Sequence, residues 1–371
     1  LLTRALKDPV SSRRGAAATA LLKVPGGDHL AEVRKLLFDP DAEVRVAVAL
    51  DLVQKGDKEA IPALIDGLDQ PSSARFGRIE DILIRLAREQ SPILTGEDLP
   101  ARREYQKAWR TWWKDHGAKI DMALLDAKPK MLGRTLIVLL DANQVVDLDE
   151  TNKVRRKIDD IEMALDMESL PGDRVLLAEY RANRVSERDA EGKVIWERSV
   201  PEPLTAQRLL NGNTFIASKD YLLEVDRKGK QVFRYNPPAA TQIMRARKLP
   251  SGEILMVSQL GASQLTRLSR FGKELKSFPV DVSTSGGRLE VTPAGNILVP
   301  EMYSNRIVEY DPDGRVVRAI PAQQPIACTL LPSGNLLVTS MTEKRAVELD
   351  RAGKEVWEYR RDTRVTRAVR Y

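Results

Sequence analysis

A single cysteine, Cys328, stands among 371 residues. It excludes an intrachain disulfide and any multi-cysteine zinc site, and it leaves the redox compartment open. Histidine is nearly as scarce. His29 and His116 both fall in the first third of the chain, so the rest has no imidazole for a Ser-His-Asp set or for base catalysis. Long apolar runs are missing as well: stretches such as Leu136 to Leu140 fall far short of the roughly 20 residues that a membrane-crossing helix needs. No Gly-x-x-x-x-Gly-Lys-Ser/Thr phrase occurs, which excludes a phosphate loop of that kind. There is no initiator Met and no signal-like apolar block at Leu1-Leu2-Thr3-Arg4, which reads as a fragment or a processed form.

With 42% hydrophobic and 30% charged residues the composition is that of a soluble globular protein with more than one domain. Residues 1–127 carry 20 basic and 20 acidic side chains, so the whole net charge of +6 lies beyond them. An excess this mild, without an arginine-rich run, reads as a solvated surface, and no nucleic-acid partner is expected.

Helical periodicity dominates residues 1–127, for instance over Ala42 to Val53. The phrase Leu6-Lys7-Asp8-Pro9 returns as Leu37-Phe38-Asp39-Pro40 and as Leu68-Asp69-Gln70-Pro71, at steps of 31 residues. The Asp is expected to cap the following helix, and the Pro to occupy its first turn. The stretch Asp39-Pro40-Asp41-Ala42-Glu43-Val44-Arg45 resembles the HEAT family of bacterial helical repeats, which implies a binding scaffold in the form of an α-solenoid. From Arg102 to Gly117, Tyr105, Trp109, Trp112 and His116 share one helical face, with Trp113 at its shoulder. That face reads as a hydrophobic plug closing the solenoid; an aromatic ligand platform, with His116 as acid, base or metal ligand, is the alternative. The helix resembles a Trp-rich closing helix seen beside HEAT repeats in planctomycete-type bacterial proteins. Residues 126–131 break the pattern and mark a boundary between domains at 1–127 and 128–371.

Beyond the boundary one phrase recurs six times, most legibly as Leu249-Pro250-Ser251-Gly252-Glu253-Ile254-Leu255. Its glycines, Gly133, Gly172, Gly212, Gly252, Gly295 and Gly334, step by 39, 40, 40, 43 and 39 residues. A period near 40 is that of a four-stranded propeller blade, so a six-bladed β-propeller is expected. The alternating strand of five blades ends in an Asp that opens a tight turn, with Gly at its fourth position as in Asp189-Ala190-Glu191-Gly192, and the fourth blade has Ser269 in place of Asp. The tail Val365 to Tyr371 matches Ile243 to Leu249, the innermost strand of another blade, and is expected to close the ring against Thr135 to Leu139. Ala182-Asn183-Arg184-Val185 and Ser304-Asn305-Arg306-Ile307 resemble NHL-type repeats, and Asp-x-x-Gly-Lys-x-x-Trp resembles PQQ-like and arylsulfotransferase-like propellers. The resemblance implies the fold and little about activity, since an arylsulfotransferase-like propeller would need a histidine that is absent here.

Arg245, Arg288 and Arg367 fall at equivalent positions on three innermost strands and should ring the axis. They are expected either to pair with carboxylates, Glu179 and Glu301 being the candidates, or to leave a wet basic channel suited to a small anion. Those two glutamates are also the candidates for an oxygen-ligand cation site, although no metal or cofactor is expected. The leading reading is a non-enzymatic scaffold that presents solenoid and propeller surfaces to a protein partner. The alternative is a propeller enzyme, or a small-ligand receptor, using the central channel. The bacterial resemblances leave the cytoplasm, the periplasm and export all open.

Overall fold

The computed structural model describes residues 1–24, 29–69, 73–125 and 132–371. The break at 126–131 and the third Asp-x-Pro turn, at 69–71, therefore lie wholly or partly outside the described residues. Residue contacts divide the chain into two compact units, Leu1–Lys128 and Pro129–Tyr371.

In the first unit the helices Ser11–Leu21, Ala42–Gln54, Ile61–Asp66, Ser73–Ala87 and Leu99–His116 surround one apolar core. Ala42–Gln54 is central because it is apolar nearly all round, from Val44 to Val53. The expected Asp-Pro cap is corrected in detail. Asp41, not Asp39, caps this helix by accepting from the amides of Glu43 and Val44, and Pro40 stays outside it. Asp39 instead shapes the turn, accepting from the amide of Asp41 at 2.9 Å.

The arginine six residues after Asp8 and the one six residues after Asp39 share a defined part. Arg14 Nη1 donates to the carbonyls of Asp8 and Pro9, and Arg45 Nη1 to those of Asp39 and Pro40. Arg14 also grips the buried Asp39 of the next repeat with two bonds of 2.7 Å. A planar guanidinium thus ties its own turn to the following one.

Trp109 is fully buried and Trp112 nearly so, with their rings edge to face at 5.3 Å. Gly117 ends their helix at a φ of −57°, so it does not supply the left-handed stop that its identity suggests. It is needed for room, since a methyl group there would fall 2.7 Å from the Trp113 ring.

The second unit forms six four-stranded antiparallel sheets among the described residues, and it is a six-bladed β-propeller. The inner strands of blades 1 to 6 are Val365–Arg370, Ala164–Leu170, Pro203–Arg208, Gln242–Lys248, Glu290–Val291 and Ala327–Leu330. Second strands such as Thr135–Leu139 and Leu336–Ser340 are buried along their whole length, as their apolar runs require. Blade 1 is built from both ends of the unit: Leu136 pairs with Val369 and Ile137 with Ala368. The tail therefore closes the ring.

Asp149, Asp189, Asp226, Asp311 and Asp350 each accept from two amides of their turn. Ser269 Oγ does the same on blade 4, accepting from Phe271 and Lys273. The acid two residues before the turn-opening Asp has a separate task. Glu187, Glu224 and Glu348 are buried and pair with Arg208, Lys248 and Arg370, the last inner-strand residue of the next blade.

Candidate functional site

Register places Asp166, Thr205, Arg245 and Ala327 at the same depth on their inner strands, opposite Ala178, Ala217, Val257 and Thr339; Arg367 is the neighbour of the paired Ala368 on blade 1, and Arg288 lies two residues before the strand Glu290–Val291 of blade 5. The ladder is irregular just before this position on blades 2, 3 and 4, between Ala164 and Asp166, Pro203 and Thr205, and Ile243 and Arg245. An extra residue in a strand re-aims the side chain that follows it.

These side chains meet across the axis. Arg288 of blade 5 reaches the opposite blade, where it donates to Asp166 Oδ2 at 3.2 Å, to Glu168 Oε2 at 3.1 Å and to the carbonyl of Met167 at 3.1 Å. Arg367 stands 3.4 Å from Asp166 Oδ1 and donates to the carbonyl of Cys328. Arg245 donates to the carbonyls of Ile326 and Thr284 at 3.0 and 2.9 Å.

The backbone crosses the axis too. The Gly287 amide donates to the Leu204 carbonyl of blade 3, and the Gly286 amide to Met244 of blade 4. Thr205 Oγ1 donates to the Gly287 carbonyl at 2.7 Å. A methyl group on Gly286, whose φ is +104°, would fall 2.9 Å from Leu165 of blade 2. The inner strand of blade 5 is cut to two residues because the chain from Thr284 to Arg288 leaves its sheet to fill the centre.

The expectation for the arginines is thereby corrected in part. Arg245, Arg288 and Arg367 do come together, but not with Glu179 or Glu301. The carboxylates within reach of Arg288 are Asp166 and Glu168, and that of Arg367 is Asp166; the sequence reading did not single them out. Glu179 ends the second strand of blade 2, where Arg184 holds it with two bonds of 3.1 Å and Ser186 and Arg188 also donate. Burial alone would raise its pKa, yet these donors hold it below the usual carboxylate range. Glu301 sits likewise on blade 5, with Arg306 at 2.7 Å and Tyr310 at 2.8 Å. Both glutamates face the arginine directly opposite in their own hairpin, which accounts for them without a ligand.

The charge at the axis is uneven. Asp166 and Glu168 raise the pKa of Arg288 against the cost of burial. Arg245 is fully buried with no carboxylate in ion-pair reach among the described residues, and burial pushes its pKa down to about 10, so it stays a cation at neutral pH. Neighbouring Cys328 is buried, and its thiol is pushed up to about 12, which makes it unreactive. Among the described residues no group of three or more His, Cys, Asp or Glu is placed to hold a metal, and no helix is long and apolar enough to cross a membrane. His116 stacks on Trp112 at 5.7 Å, and its Nδ1 lies 3.0 Å from the Trp112 carbonyl.

Comparison with known proteins matches residues 1–80 to the HEAT repeats family. No curated protein matches the chain. Similar solved structures include a streptogramin B lyase, 14% identical, with a TM-score of 0.48 over 64% of this chain and 86% of that one. The β-propeller domain of Myceliophteria thermophila Cps50 (Swd1) is 17% identical, with a TM-score of 0.45 over 59% and 81%. Regucalcin of Agrobacterium tumefaciens, described as a calcium-binding protein, is 13% identical, with a TM-score of 0.43 over 53% and 74%. The first unit is thus similar to HEAT repeats. At these identities and scores the solved structures say nothing of activity, and the propeller is defined by its own six sheets.

Proposed function

We propose that the protein is a non-enzymatic interaction scaffold, divided near residue 127, in which a HEAT-like solenoid and the propeller each offer a surface to a protein partner. The observation that supports this most is the filled axis. Propellers that act on small molecules generally do so at the centre of the ring, and here Arg288 and the Gly286-Gly287 backbone occupy that centre. What remains for recognition is outer surface, which suits macromolecules. Cross-linking of the full chain in an extract of its source cells should return the same protein repeatedly, and native mass spectrometry of purified protein should show no small molecule or metal at one-to-one stoichiometry. A tightly held small molecule, with turnover of any related compound, would overturn the reading.

A second reading rests on Arg245, a buried cation with no carboxylate of its own. A small anion at the axis would neutralise it. Sulfate or phosphate should then raise Tm for the parent and not for Arg245→Met, because stabilisation requires binding to the native state. The same response in both proteins ends this reading.

A further inference from the structure

A cavity of about 190 Å³ lies between blades 5 and 6, lined by Pro321, Ala322, Val338, Val347 and Leu349, with Gln323, Ser340, Arg345 and Glu355 among its polar lining. Its origin is visible in the repeat. At several joints one outer-strand residue packs toward the glycine turn of the next blade, and in blades 3, 4 and 5 that residue is Tyr235, Phe278 and Ile320. A methyl group on Gly272 would fall 2.8 Å from Tyr235, and one on Gly314 2.5 Å from Phe278; on Gly353 the nearest atom, of Ile320, is 3.8 Å away. Between blades 4 and 5, Phe278 also packs on Tyr310, with centroids 5.5 Å apart. The residues at those two positions between blades 5 and 6 are Ile320 and Leu349. An aromatic pair has become an aliphatic pair, and the space has not closed.

We propose that this cavity receives one aromatic side chain with a polar tip, tyrosine or tryptophan, from a protein partner; the proposal rests on the interaction-scaffold reading above. Size favours a side chain over a whole small molecule, because pockets for the latter run from about 300 Å³ upward, whereas a dry cavity near 150 Å³ already takes a benzene ring. The occupant's nature follows from the preceding interface, where Phe278 and Tyr310 show what fits this joint. The polar lining follows from the same argument: Arg345 spends only Nη1, on Glu355 and Glu358, and the Ser340 hydroxyl only accepts, from the Glu343 amide. The Ser340 proton can be donated to a phenol oxygen, and the second lone pair of the same hydroxyl can accept from an indole N–H. On the outer strand beside the cavity Val316 and Val317 are exposed, an apolar margin on which the rest of a partner segment would lie.

The test titrates the full chain with 4-methylphenol, the tyrosine side chain alone, and with N-acetyltyrosinamide, following Tm. Both should bind saturably, raising Tm by about 3–5 °C at ten times the half-saturating concentration. The double variant Ile320→Phe with Leu349→Tyr, which copies the preceding interface, should lose the response; Ala322→Leu at the lining does the same job if the double variant does not fold. No saturable response in the parent, or an equal one in the filled variants, overturns the proposal. Binding of 4-methylphenol without N-acetyltyrosinamide marks a small-molecule pocket and also overturns it. A partner still captured by the filled variants sinks the pocket and spares the scaffold reading, whereas ligand binding by a chain that captures no partner does the reverse.

Discussion

Arg288 spans the propeller from blade 5 to blade 2, and its value depends on Asp166 being fully buried on the far side. Removing one member of such a pair strands the other in a poor solvent and costs about 3–5 kcal/mol. Arg288→Met should therefore lower stability by that amount in a denaturant titration, while Lys344→Met, which breaks an exposed pair with Asp362, should cost under about 1 kcal/mol. Equal effects would mean that the strut is not formed. Acid has a defined effect as well. The donors around Glu179, and the Arg364 guanidinium bonded to Asp141, hold these carboxyls below their ordinary pKa values of 4.5 and 3.8. Their stabilisation is thus complete above those values and is lost as pH falls through the folded ones. Melting curves should hold steady from pH 7 down to 5 and drop below about 4, and Glu179→Gln should flatten the drop. The three axial arginines were legible because equivalence in a repeat can be counted. Their partners were not, since Asp166 and Glu168 meet Arg288 only after the chain crosses the ring. A trace of that crossing was present: the one glycine step of 43 residues, against 39 or 40 elsewhere, spans the segment that leaves its sheet.

Among elements, the helix Leu99–His116 and the strand Val365–Arg370 carry the most. Trp112 belongs to the core of the first unit, where its ring meets Trp109 edge to face, lies tilted against Trp113 and stacks on His116. Trp112→Ala should destabilise by roughly 3–5 kcal/mol in thermal melts. Loss of a bound ligand with stability unchanged would return the helix to the role of a recognition platform. Deleting Thr366 to Tyr371 should lower propeller stability by several kcal/mol, because it strips backbone partners from Thr135–Leu139 and removes Ala368 from the core. A melting curve unchanged by that deletion would contradict closure by the tail. The tail's role was readable from its likeness to Ile243–Leu249. The helix cap was not, because Asp39 and Asp41 both precede the helix and only geometry shows that the later one caps it.

Across the propeller the joints between blades are not alike. Arg or Lys meets a buried Glu at several, aromatic wedges close two, and one stays open beside Leu349. Periodicity reveals the number of blades and hides these differences, because a repeat is recognised by what its copies share. The pairing of Thr135–Leu139 with Val365–Arg370 also sets a timetable. Leu139 and Val365 are 226 positions apart, so at roughly 5–20 residues per second a ribosome needs about 11–45 s to deliver the second after the first. Throughout that interval the earliest blade waits as three strands with a naked apolar edge, exposed to whatever else is emerging nearby. Nascent chains should accordingly be protease-sensitive at blade 1 until Val365–Arg370 leaves the exit tunnel, and any cell making this protein must shield that edge for those roughly 11–45 s.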